Sequence, residues 1–247
     1  MKLLLIILLA FAPLLCFSQS NKTYHSGRLV FEKTSSFSET GEQYMRTMFD
    51  SLANLAKQAP PSADTLSGDV NDRALLDFAV NSLAQAPPQT IHINFSKDSI
   101  LYYATTNGKM AGDYTVFNRQ EGKRYKRSKW DIGHVYAEAP LRAVDASPYD
   151  YQITDKDSRK LIHGIECYKV LLVREHGQQE LGENVPLKME KSLEITEMYV
   201  TELVNLPTGM VNGIYSRQQD YFPLEIMEYT TSPESKTTYR LRKIEVE

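Results

Sequence analysis

Hydrophobic and polar positions along this chain change rhythm twice. In "SGRLVFEKTSSF" charged and apolar residues alternate and β-formers dominate, which predicts a first strand. From Glu39 to Gln58 the spacing lengthens, with Tyr44, Met48, Leu52 and Leu55 recurring at the interval of an amphipathic helix. "APPSADTLSGD" breaks that pattern. "NDRALLDFAVNSLAQ" restores it with Leu75, Phe78, Ala79 and Leu83 on one side, and "APPQ" ends it. Residues 40–88 are therefore expected to form a two-helix insertion.

From Thr90 the period returns to two. "TIHINFS" places Ile91, Ile93 and Phe95 on one side, and "SILYYATT", "DYTVFNR" and "YDYQITD" continue the alternation. "KDS", "TNGK" and "DKDSRK" have turn chemistry. "LEITEMYVTEL", "FPLEIMEYTT" and "KTTYRLRKIEVE" supply the last strands. In the final one the apolar phase slips between Leu241 and Ile244, as a β-bulge would cause. "HGQQELGENVPLKMEKS" reads as a long exposed loop. Many short strands with few helices predict a mainly β (α+β) chain, a curved antiparallel sheet or half-barrel carrying the two-helix insertion.

The first residues, "MKLLLIILLAFAPLLCFSQS", place one lysine before an apolar run from Leu3 to Leu15, the order of a secretory signal peptide over 1–18. The run is shorter than the roughly 20 residues of a membrane-spanning helix. Acylation of Cys16 would require a small residue before it, and Leu15 is not one. Residues 19–247 are then expected to form one β-rich domain with no transmembrane segment, located in the periplasm, on the outer membrane or in the medium. Cys167 would be the sole remaining cysteine, which excludes an internal disulfide and a cysteine-cluster metal site. The net charge of −3 argues against a dedicated nucleic-acid binder.

One stretch invites a catalytic reading. "LIHGIECYKVLLV" brings His163, Glu166 and Cys167 within five residues. On a helix His163 and Cys167 would share a face as metal ligands or as base and nucleophile. Ile, Val, Tyr and Leu favour a strand instead, with His163, Ile165 and Cys167 facing one way and Glu166 the other. Two ligands four residues apart on a strand lie about 13 Å from each other, too far for one ion. Cys167 then reads as a buried small hydrophobe. His25, His92, His134 and His176 show no ligand spacing, and phosphate loops, nucleophile elbows, zinc-protease motifs and Ca²⁺ loops are absent. No cofactor and no metal are expected.

Two other features point to binding. In "EGKRYKRSKWD", Lys123, Arg124, Lys126 and Arg127 alternate around Tyr125 and precede Trp130, a combination that suits an anionic surface or the solvated side of a hairpin. The chain also has 15 tyrosines, enough to line an apolar groove or to serve as cross-strand packing. The candidate lining residues are Tyr102, Tyr114, Phe117, Tyr149, Tyr151 and Tyr168.

Several segments, in order, resemble the GLPGLI family of exported proteins from Bacteroidota. "INFSKDSILYYA" is similar to the family's Phe-Asn-x-x-x-Ser-x-x-Tyr/Phe strand. In "DSRKLIHGIECYKVLLV", Lys160, Ile162, Gly164, Cys167 and Lys169 hold the places of its Lys-x-Ile-x-Gly-Tyr-x-Cys-x-Lys segment. "EITEMYVTEL" resembles the stretch before the name-giving motif, which is itself absent; "TGMVNGI" and "YFPLEIMEY" come nearest to it. The resemblance implies an envelope location and no established activity. By looser analogy it implies the half-barrel of lipoprotein carriers. The leading expectation is a non-catalytic envelope protein binding a lipid, another hydrophobic ligand or an envelope protein. The alternatives are a hydrolase or metal-dependent enzyme using His163 and Cys167, and an assembly protein docking through its helical pair.

Overall fold

The computed structural model describes residues 23–58, 86–140, 149–176, 179–180, 188–189, 191–207, 210–212, 220–231 and 234–247. The expected signal peptide over 1–18 and the second expected helix over 71–85 lie outside them. In chain order the described elements are β1 (Gly27–Phe37), α1 (Glu39–Gln58), β2 (Gln89–Phe95), β3 (Ser99–Thr106), β4 (Lys109–Met110) and β5 (Tyr114–Asn118). Next come β6 (Lys123–Arg127), β7 (Val135–Pro140), β8 (Tyr151–Ile162), β9 (Ile165–His176), β10 (Gln179–Glu180) and β11 (Lys188–Met189). The chain ends in β12 (Ser192–Thr201), β13 (Phe222–Thr231) and β14 (Glu234–Val246).

One large antiparallel sheet contains nearly all of these strands, in the order β7-β6-β5-β3-β2-β1-β14-β13-β12-β9-β8, with β4 beside β3. The sheet is unclosed, with β7 and β8 at its two edges. It is also rolled, for a covalent reason. Pro140 ends one edge strand and Tyr151 begins the other, so eleven residue steps, no more than about 40 Å of chain, must join them. Laid flat, the ten inter-strand steps between those edges would span roughly 48 Å. A hydrogen bond agrees: His163, at the β8–β9 turn, reaches the carbonyl oxygen of Leu241 on β14 at 3.1 Å, three strands away in the sheet order.

The alternation read from the sequence becomes two unlike faces. On the inner face Leu29, Phe31, Ile91, Ile93, Ile100, Val170, Leu172, Val200 and Ile226 are almost wholly buried. Phe31 meets Phe222 edge to face with ring centroids 6.4 Å apart. The outer face carries ion pairs between neighbouring strands, including Lys169 with Glu197 at 2.7 Å and Arg242 with Glu32 at 2.6 Å, and Lys160 of β8 reaches across to Glu225 of β13. The predicted slip in the last strand is a bulge: Val30 pairs with Lys243 and Phe31 with Leu241, leaving Arg242 unmatched.

The inner face is filled by a strap, the segment after β12, which the sequence pattern did not mark. Val204, Leu206, Met210 and Val211 are buried against the sheet. Hydrogen bonds fasten the strap's described residues. Tyr24 donates its amide to the Leu203 carbonyl at 2.7 Å, the Arg119 guanidinium donates to the Asn205 carbonyl at 2.7 Å, and the Asn212 amide donates to Glu228 at 2.7 Å.

Two expectations are corrected. "LIHGIECYKVLLV" is not one strand. His163 and Gly164 both have positive φ (49° and 80°), the type I′ geometry of a two-residue hairpin, and the chain reverses there. Conversely, "DKDSRK" does not end a strand. Asp155 accepts the amides of Asp157 and Ser158 at 3.0 and 3.1 Å, so its turn chemistry builds a bulge within β8.

α1 spans the residues that the periodicity marks. Ser38 caps it: its hydroxyl accepts the Gly41 amide at 3.1 Å, its carbonyl accepts the Glu42 amide at 2.9 Å, and Glu39 and Glu42 place acid in the first turn. Within the expected loop 176–192, β10 and β11 pair as a short ladder.

Candidate ligand pocket on the inner face

The inner face is not filled throughout. Between the strap and strands β1, β2, β3, β5, β6 and β14 lies a cavity of about 250 Å³. Ile91, Phe117, Met210 and Val211 form its apolar part, and Tyr102 and Tyr239 add rings with polar tips. Lys33, Arg124 and Lys126 bring three cations to its wall. The register explains their convergence. Phe117 stands opposite Arg124 and Thr115 opposite Lys126, so alternate residues of β5 and β6 point into the same space.

Cations predominate on the wall, although Lys126 acts on the Asp113 carboxylate, which accepts the Lys129 amide and the Tyr136 hydroxyl. Lys126 and Arg124 make no ion pair or hydrogen bond among the described residues. Lys33 sits over the Tyr239 ring at 5.5 Å. The nearby carboxylate, Glu228, is engaged by Asn212 and Tyr239. Burial is the main influence on Glu228 and raises its pKa above the ordinary carboxylate value, against the lowering effect of those hydrogen bonds and of Lys33.

The residues singled out from the sequence are divided by strand parity. Tyr102, Phe117, Arg124 and Lys126 border the cavity. Tyr114 points to the outer face, where it meets Tyr103 at 5.5 Å, and Tyr103 stacks on His92 at 4.5 Å. Lys123 and Arg127 also point outward; Lys123 pairs with Glu138 at 2.5 Å and Arg127 donates to the Ile132 carbonyl at 2.8 Å. Trp130, 87% exposed, stands at the tip of the β6–β7 hairpin with Lys129 over its ring.

The other three aromatics lie toward the β8 edge. Tyr149 packs against the core with its hydroxyl 3.4 Å from Thr196, and burial pushes its pKa up to about 12. Tyr168 is buried beside Tyr221, centroids 6.4 Å apart, and donates to Glu202 at 3.2 Å. Burial, then the Glu202 carboxylate, raises the Tyr168 phenol to about 12. Tyr151 is exposed. Sequence reasoning missed Lys33, Asn212, Tyr239 and the strap residues, because only the register and the strap's path bring them to the cavity.

The His163–Cys167 pair does not assemble into a base and nucleophile. His163 occupies the turn and donates to Leu241, while Cys167 is wholly buried and donates its weak S–H to the Ile165 carbonyl at 3.6 Å. Burial pushes the thiol up to about 12, leaving it protonated at neutral pH. Among the described residues no group of three or more His, Cys, Asp or Glu side chains is placed to hold a metal ion, and no helix is long and apolar enough to cross a membrane.

No family model matches the chain and no curated protein matches it, so the GLPGLI resemblance stands on the quoted segments alone. Among solved structures the chain is similar to a domain assigned to outer-membrane lipoprotein sorting in Vibrio parahaemolyticus. That likeness has 6% identity and a TM-score of 0.30, over 93% of this chain and 88% of the other, too distant to bear on function.

Proposed function

We propose that this is an exported, non-catalytic binding protein of the cell envelope, with its ligand held between the rolled sheet and the strap. One observation carries the reading. The apolar residues of the inner face are buried, and Ile91, Phe117 and Val211 among them border a cavity of about 250 Å³. Its size lies just below the usual range of small-ligand sites. The signal-peptide pattern over 1–18 and the GLPGLI-like segments support export and an envelope location. The buried, protonated Cys167 gives the enzyme alternative no nucleophile.

Native mass spectrometry of residues 19–247 purified from a bacterial periplasm, followed by organic extraction, tests the reading. An adduct that disappears on extraction is the expected result. A clean mass that stays unchanged on titration with small amphipathic compounds would refute it.

A further inference from the structure

We infer that the occupant of this cavity is an organic anion, a carboxylate on a short apolar tail, with the carboxylate held by Arg124 and Lys126. The inference rests on the reading of the cavity as a binding site and adds the charge and size of what enters it.

The argument begins with one strand. β6 carries four cations, and parity sends Lys123 and Arg127 outward, where each has a partner: Glu138 for one, the Ile132 carbonyl for the other. Arg124 and Lys126 turn inward. Their cross-strand neighbours are Phe117 and Ala139 for Arg124, and Thr115 and Ala137 for Lys126, none of them acidic. Asp113, the carboxylate that Lys126 influences, is already held by the Lys129 amide and the Tyr136 hydroxyl. Two residues apart on one strand face, these cations stand about 7 Å from each other, with Lys33 on the same cavity wall. Like charges gathered at a partly desolvated wall repel, and an anion between them relieves that repulsion.

Arg124 supplies the planar fork that fits a carboxylate, and Lys126 a second point of positive charge. Glu228 is already engaged by Asn212 and Tyr239 and does not serve as that anion. The apolar residues set the tail. A cavity of about 150 Å³ suffices for benzene, so 250 Å³ seats a tail of roughly eight carbons.

Calorimetric titration of residues 19–247 at low ionic strength with octanoate, octanol, acetate and octyl phosphate tests the proposal. Octanoate is expected to bind about tenfold more tightly than octanol, and acetate not to bind measurably. R124Q and K126Q should each weaken octanoate about threefold while octanol is unaffected, and 0.5 M salt should erase most of the difference. Both side chains are partly solvent-exposed and lie outside the core, and unchanged thermal unfolding of the variants would establish that they fold. Equal binding of octanoate and octanol would overturn the charge assignment while leaving a hydrophobic site intact. Acetate binding as well as octanoate would overturn the tail, and tighter binding of octyl phosphate the carboxylate. Failure of all four to bind would overturn the binding reading itself.

Discussion

Cys167 gives the sharpest test of how the β8–β9 hairpin is built. In residues 19–247 it is the sole cysteine, so thiol labelling reports on it alone. The native thiol is wholly buried and its pKa is pushed up to about 12. At pH 8 a pKa of about 12 leaves roughly one thiolate in ten thousand, whereas an unperturbed cysteine near 8.5 has about one in four. The thiolate is the reacting species, so the native protein should react with a disulfide reagent at least about a thousandfold more slowly than the chain unfolded in urea. Exclusion of the reagent by burial slows it further. The companion variant Cys167→Ser places a hydroxyl at a wholly buried position, and should cost about 1–3 kcal/mol in a urea melt. Native labelling within tenfold of the unfolded rate would refute the argument, because a reactive thiolate requires an accessible site with a depressed pKa. Such a result would return the hairpin to the list of catalytic candidates.

Two further predictions address the strap and the helix. Glu228 has a pKa raised by burial, so between its ordinary value and the raised one the folded protein binds more protons than the unfolded chain, and stability falls as pH climbs through that window. Glu228→Gln removes this titration, so the variant should gain stability relative to the parent at pH 8 compared with pH 4, read from urea midpoints; the same difference at both pH values would contradict it. At Gly41 an added Cβ would collide with the backbone carbonyl of Glu234, which cannot swing aside as a side chain could. Gly41→Ala should therefore cost about 1–3 kcal/mol despite alanine's better helix propensity, and a urea midpoint at or above the parent's would show that α1 does not approach the β13–β14 turn so closely.

The sequence by itself determined the local elements. Period two in Ile91, Ile93 and Phe95 required a half-buried strand, the stripe beginning at Tyr44 and Met48 required a helix, and the phase slip after Leu241 required the bulge that the β1–β14 register displays. These follow from the geometry of neighbouring residues, which the chain carries wherever it folds. His163–Gly164 was also legible in principle, since glycine after a residue tolerant of positive φ between two apolar runs is a hairpin signal. The unbroken apolar character of the stretch concealed it.

Only the tertiary structure decided which residues meet. Parity sorted the six candidate aromatics, sending Tyr102 and Phe117 to the cavity and Tyr114 to the opposite face, and it split a basic run that reads as one patch into an engaged outer pair and an inner pair facing the cavity. A phase of two names the residues that share a face but cannot say which face is buried. That depends on what crosses it, and here it is a strap with no periodic signature, whose Val211 and Asn212 reach residues of β1, β2 and β6 only because the whole sheet rolls around them.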